Sequence, residues 1–300
     1  DAQHVEVQLL GDGGSGLVHL FERDCSVQRR RQKLIESSPA IGIDEATRQR
    51  LFDHALAIGH ACQYRSAGTC EFLVRGGREV FLEFNPRIQV EHPVSEEVTG
   101  IDIVRAQLLI AGGASLASIG LPSQAAVHRQ HAAIQARVQM VTPGHVATYS
   151  EGGGIGIRVD GSLYPGYLPP TCYDPLLVKV IARAPVHGDA HSGLELARRR
   201  LLRACGELHV GGSVRTNLAE LAEILRSDEF EAGAWSTARL DEADAAGHAL
   251  APGPRGARAD LLDGALASSV ASAQPRQGRW WRRMTRRRWA MRCRRGRRSL

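Results

Sequence analysis

Several things are missing from this 300-residue chain, and each absence closes a door. No run of about 18 or more apolar residues occurs, so no membrane-crossing helix is expected. No charged-then-apolar leader opens the chain at Asp1, so no secretory signal is expected. The six cysteines, at 25, 62, 70, 172, 205 and 293, include no C-x-x-C pair. That spacing argues against a zinc site and against a disulfide framework. A reducing cytoplasm is the expected home.

What is present is ordinary in bulk and uneven in charge. An apolar fraction of 43% suits a globular chain, and the length allows one large core or two small ones. The net charge of +6 is misleading. Residues 276–300 contain twelve Arg and no Asp or Glu, so the remainder, residues 1–275, carries −6. From about Ala245 the sequence turns to Ala, Gly, Pro and Arg without periodicity, which reads as linker or disorder.

The richest segment is Glu83-Phe84-Asn85-Pro86-Arg87-Ile88-Gln89-Val90-Glu91-His92-Pro93. Glu83, Asn85, Arg87, Gln89 and Glu91 fall at every second position. In extended chain they share one face, giving two carboxylates, two amides and a guanidinium on a single surface. Such a set suits a metal-bridged anion better than plain solvent. The alternative is the polar side of an edge strand.

Elsewhere, His4–Leu10 and Leu17–Phe21 read as strands around Gly11-Asp12-Gly13-Gly14-Ser15-Gly16. That glycine cluster lacks the Lys-Ser/Thr of a phosphate loop, so a hairpin loop is expected. Asp44 is placed to cap a helix with Leu51, Ala55, Ile58 and Cys62 on one face. Ile101–Ala111 reads as a second helix, and Leu194–Cys205 and Leu218–Leu225 as later ones. Ala132–Val138, Gly144–Tyr149 and Ile155–Val159 look like strands of a second sheet. Thr69–Val74 and Glu79–Asn85 read as a hairpin around Arg75-Gly76-Gly77-Arg78. With a two-residue turn Glu71 would face Leu82, and Glu83 would point to the other side. For Glu71 and Glu83 to meet as ligands for a hard cation, the loop must be odd or the hairpin must contain a bulge.

The run ending in E-F-N-P-R-I-Q-V-E-H-P-V-S-E resembles the signature of biotin carboxylase, the ATP-grasp component of biotin-dependent carboxylases. Glu22-Arg23-Asp24-Cys25-Ser26-Val27-Gln28-Arg29-Arg30-Arg31-Gln32-Lys33 and Gly68-Thr69-Cys70-Glu71-Phe72 resemble two further family motifs. Gly156-Ile157-Arg158-Val159-Asp160, Tyr173-Asp174-Pro175-Leu176 and Arg215-Thr216-Asn217 follow in the family's order. The resemblance covers about residues 1–240. The family's nucleotide-binding-like domain and glycine-rich lid precede the part seen here, so little ATP cleavage is expected of this chain alone.

The resemblance implies an α+β fold: an ATP-grasp portion at 1–120, the biotin carboxylase C-terminal portion at 121–244, and a linker and Arg-rich tail at 245–300. Mostly antiparallel sheets with flanking helices are expected. It implies Glu71, Glu83 and Asn85 as ligands for Mg²⁺ or Mn²⁺, and His4 and Gln28 beside ATP. Arg87 and Glu91 correspond to the catalytic arginine and the base that takes the bicarbonate proton. Gln89 and the Val90 backbone complete the bicarbonate pocket, Lys33 adds a cation, and Arg158 corresponds to the arginine that steadies the biotin enolate. The implied reaction is ATP- and bicarbonate-dependent carboxylation of biotin on a carrier domain, in an acetyl- or propionyl-CoA or pyruvate-type carboxylase. Expected partners are a biotinyl carrier domain, a carboxyltransferase and a second copy of the chain.

Two departures stand out. Arg31 occupies a place where the family has His or a small polar residue, and Val138–Gly144 is shorter than the family's acidic loop. Rival readings are another ATP-grasp ligase of the carbamoyl-phosphate synthetase kind, and an inactive remnant serving as a dimerising or nucleic-acid-binding piece. Arg279-Trp280-Trp281-Arg282 and Arg288–Cys293 suggest a frameshifted reading of a carrier domain. As it stands, the Arg-rich tail would bind nucleic acid only nonspecifically, through charge.

Overall fold

The computed structural model describes residues 2–186 and 190–246. The tail, with its frameshift and nucleic-acid readings, lies outside the described residues. In chain order the strands are β1 (Gln3–Asp12), β2 (Leu17–Arg29), β3 (Gln32–Ser38), β4 (Arg65–Arg75) and β5 (Arg78–Asn85), then β6 (His131–Thr142), β7 (Val146–Ser150), β8 (Ile157–Gly161), β9 (Leu176–Pro185), β10 (His209–Gly212) and β11 (Arg215–Thr216). The helices are α1 (Glu45–Ala61), α2 (His92–Thr99), α3 (Ile103–Ala111), α4 (Ala190–Glu207), α5 (Leu218–Arg226), α6 (Asp228–Glu231) and α7 (Arg239–Ala245).

One antiparallel sheet runs β5-β4-β1-β2-β3-β6-β9-β8, with β11 beside β6. The later strands therefore do not form the separate second sheet expected from their sequence. β6 pairs with β3 and continues the first sheet, and only β7 and β10 form a sheet of their own. In Ala132–Val138 every residue but Arg137 is buried, so the strand needs a neighbour on each side to satisfy its backbone.

β1 shows how the sheet makes room for chemistry. Val5, Val7 and Leu9 pack with Leu51, Phe52 and Ala55 of α1. His4, Glu6 and Gln8 occupy the other face, equally buried but polar. A buried polar face is tolerable only if its groups find partners. The Asp44 cap forms as expected, its carboxylate accepting from Thr47 N at 2.6 Å. The α1 stripe is Leu51, Phe52, Ala55 and Gly59, while Cys62 is exposed at the C-terminal cap.

The glycine cluster is a hairpin loop folded around one carboxylate. Asp12 accepts from Gly14 N, Gly16 N and Leu116 N at 2.9–3.1 Å. Burial opposes them, but together these bonds hold its carboxyl below the usual carboxylate range.

Candidate functional site

Four neighbouring strands place one charged residue each at the same level. Arg23 of β2 faces Glu6 of β1, Glu6 faces Glu71 of β4, and Glu71 faces Glu83 of β5. The last pairing depends on a bulge. The Gly76-Gly77 turn has two residues, pairing Arg75 with Arg78 and Phe72 with Phe81. The register then shifts between Glu71 and Phe72, leaving Leu82 as the extra residue. The bulge thus returns Glu83 to the side of Glu71, as a shared cation would require.

Three carboxylates in a row repel unless countercharged. Lys33 supplies the centre: its Nζ donates to Glu6 Oε2 at 2.6 Å, Glu91 Oε1 at 2.6 Å and Glu71 Oε1 at 3.3 Å. Arg23, fully buried, donates to Glu6 Oε1 at 2.7 Å, Gln8 Oε1 at 2.8 Å and Gln89 Oε1 at 3.2 Å. His4 Nε2 lies 2.8 Å from Glu71 Oε2. Burial alone would raise the carboxyls of Glu6 and Glu71. The charges of Arg23 and Lys33 hold Glu6 down at about 2, and the His4 hydrogen bond and Lys33 do the same for Glu71. Burial works against the Lys33 ammonium, but the combined charges of Glu6, Glu91 and Glu71 hold it well above its ordinary range.

A third cation closes the far end. Arg137 of β6 donates from Nε to Glu36 at 2.5 Å and from Nη2 to Glu91 at 3.0 Å. Glu36 is fully buried and also accepts from Gln135 at 2.9 Å; burial raises its carboxyl. Sequence reading passed over Glu6, Arg23, Glu36 and Arg137. A signal was available, since each is a charged residue inside a strand that also carries buried apolar residues. Lysine scarcity was another. Of 38 basic residues only two are lysines, Lys33 and Lys179. Lys179 donates to the Val90 carbonyl at 3.3 Å and pairs with Asp160.

The rim is different. β5 ends at Asn85 because Pro86 has no N–H to continue the ladder, so the extended run expected through Glu91 stops there. The chain bends through Arg87–Val90, and Glu91 sits at the start of α2. Asn85 Nδ2 donates to Glu71 Oε1 at 3.0 Å and to Glu83 Oε1 at 2.8 Å. Two carboxylate oxygens therefore converge on one point. Half a turn of the Asn85 amide would present its oxygen there instead. This donor set, two carboxylates and an amide, fits a hard divalent cation. Among the described residues, the exposed Arg87 guanidinium donates to Asn85 Oδ1 and the Ile88 carbonyl, at 3.3 and 3.2 Å.

One cleft collects His4, Gln28, Lys33, Glu71, Glu83, Asn85, Arg87, Gln89, Val90 and Glu91, with Arg137, Arg31 and Thr237 as further lining. Gln89 donates to Glu71 Oε1 at 2.7 Å. Arg158 does not line the cleft. It sits on β8, the outermost strand, and pairs with Asp160 at 2.9 Å and with Glu96 of α2 at 2.7 Å. Asp160 links it to Lys179, which reaches the Val90 carbonyl at the cleft's edge.

The family described as "Biotin carboxylase C-terminal domain" matches residues 131–242, and that described as "Carbamoyl-phosphate synthase L chain, ATP binding domain" matches residues 1–119. The chain superposes on the biotin carboxylase domain of a single-chain bacterial carboxylase with a TM-score of 0.76 at 43% identity. That match covers 82% of this chain and 56% of the other. The chain belongs to the biotin carboxylase family. It is also similar to the biotin carboxylase domain of a thermophilic 2-oxoglutarate carboxylase bound to bicarbonate, with a TM-score of 0.73 and 34% identity, covering 81% of this chain and 54% of that one. A pyruvate carboxylase from Aspergillus terreus is 42% identical over 246 residues, 78% of this chain. The chain spans about 20% of that relative's length. No helix among the described residues is long and apolar enough to cross a membrane.

Proposed function

We propose that the cleft binds bicarbonate and the phosphates of ATP, and serves the ATP-dependent carboxylation of biotin within a pyruvate-type carboxylase. The observation that carries this reading is the join of a largely buried, countercharged floor to an open rim where Arg87 lines the cleft beside Glu91, Gln89 and the Glu71–Glu83 pair. A planar guanidinium suits a carboxylate-like anion through paired hydrogen bonds. Glu91, held between Lys33 and Arg137, is the base for the bicarbonate proton. Glu71, Glu83 and Asn85 would hold Mg²⁺ or Mn²⁺, which neutralises phosphate charge during transfer. His4 and Gln28 line the nucleotide side.

We assign the stabilisation of the biotin enolate to Arg158, as the motif implies, with Arg137, which lines the cleft and is oriented by Glu36, as a neighbouring cation. Residues 1–120 would then supply the metal and bicarbonate groups, and residues 121–244 the enolate arginine. A carrier domain bearing biotin and a carboxyltransferase are the implied partners, and a homodimer the implied assembly. All five described cysteines are unpaired, which suits a reducing compartment such as the cytoplasm. The pyruvate carboxylase relatives weigh against the carbamoyl-phosphate synthetase alternative.

Line broadening of ¹³C-bicarbonate by the purified chain tests the reading, since this method detects weak binding. Broadening that disappears in Arg87→Ala and in Glu91→Gln is the expected result. Equal broadening in all three proteins would remove the bicarbonate assignment.

A further inference from the structure

The β2–β3 turn is held from outside. Arg29 pairs with Gln32, and Gln28 with Lys33, leaving Arg30 and Arg31 as a two-residue connection. Both have left-handed backbones, at φ 49° and 65°. Such turns favour Asn-Gly, because residues with a Cβ are strained there. Two arginines are a poor local choice, so something beyond the turn must favour its shape.

The restraint comes from the end of the described chain. Arg29 lies 2.5 Å from Glu220 of α5 and 2.9 Å from Asp244 of α7. The Arg30 N–H donates to Asp241 of α7 at 2.9 Å. Residues 227–246 are themselves tied to β1, where Thr237 N donates to the Ala2 carbonyl at 3.0 Å and Gln3 Nε2 to the Gly233 carbonyl at 3.2 Å. Thr237 lines the same cleft as Gln28 and Lys33.

We propose that Arg29 is a positioning residue. Clasped between α5 and α7, it holds the β2–β3 turn in its left-handed shape and so sets Gln28 and Lys33 in place on the nucleotide side of the cleft. The α5–α7 segment thereby helps to organise a site to which it contributes only Thr237 directly. The functional consequence rests on the nucleotide reading given above; the mechanical one does not.

The test uses the whole chain with two readouts, backbone amide exchange over residues 28–33 and affinity for MgADP. Arg29→Ala is expected to speed exchange in the turn about tenfold and to weaken MgADP about fivefold, as loss of a partly buried charged clasp should. Arg29→Lys should recover part of both effects. Arg239→Ala, which breaks an exposed pair with Glu229 in the same segment, should change neither. Unchanged exchange in Arg29→Ala would overturn the proposal, as would loosened exchange with MgADP binding unaltered. Should the unmodified chain bind no MgADP, the nucleotide reading fails, and exchange alone then decides whether Arg29 holds the turn.

Discussion

On the floor of the cleft, Arg23, Glu6, Lys33, Glu91, Arg137 and Glu36 each meet opposite charge within the protein, nearly sealed from solvent. Along the rim, Glu83 and Arg87 are exposed and make only weak or amide contacts. The same residue types thus do two jobs. Charges on the floor are spent on one another and fix geometry, whereas charges on the rim are left for something that arrives. Burying an ion pair gains little by itself, yet removing one partner leaves the other stranded at high cost. The floor should therefore fail through stability and the rim through binding.

Lys33→Ala should show the largest effect. It removes the cation shared by three buried carboxylates, leaving Glu6, Glu71 and Glu91 with only Arg23, His4 and Arg137, and a loss of about 4 kcal/mol is expected in urea unfolding. A loss below about 1 kcal/mol would mean that solvent already reaches the floor.

Acid separates the floor from the neighbouring core. Burial brings the His19 imidazole, stacked 4.0 Å from Phe52, down to about 4. A depressed histidine contributes stability that is complete above its unfolded value of 6.5 and is lost as pH falls towards 4, at most about 3 kcal/mol. Glu6 and Glu71, held down at about 2, retain their contribution until pH falls below 4.5 and lose it towards 2. Thermal melts should therefore decline in two stages. His19→Gln should flatten the first stage and Glu71→Gln part of the second; a single stage centred near pH 4.5 would contradict both assignments.

Arg87→Ala should reverse the pattern of Lys33→Ala. Bicarbonate affinity should fall at least about tenfold, roughly 1.4 kcal/mol, with an unchanged melting temperature. A matching loss of stability would place Arg87 with the floor. The smallest effect belongs to Arg158→Ala, which should leave bicarbonate affinity within about twofold and cost no more than about 1 kcal/mol of stability. A large loss of bicarbonate binding would place Arg158 among the bicarbonate groups of the rim.

Much of this arrangement was legible in the chain. The alternation of Glu83, Asn85 and Arg87 marked the rim, and the conflict between a two-residue turn and a Glu71–Glu83 pair correctly required a bulge. Asp44 announced its helix, and the missing Lys-Ser/Thr after the glycine cluster pointed to a hairpin. Long-range partners were not legible. Nothing near Glu91 in sequence says that Lys33 and Arg137 will meet it, because strand order decides that. The short α2 was missed, being too brief to show a period. β9 was missed as well, its near-continuous apolar run giving no alternation. The partners of Arg158 were hidden for a related reason: a motif fixes a residue's position in the chain, but its pairing with Glu96 and Glu97 depends on where α2 packs.

The most direct test of the account is a crystal structure of the chain with bicarbonate and MgADP. A flat, three-cornered density between the Arg87 guanidinium and the Glu91 carboxylate, with Arg137 still tied to Glu36, is the predicted result. Bicarbonate bound instead at the Arg158–Asp160 cluster, with the cleft empty, would contradict it.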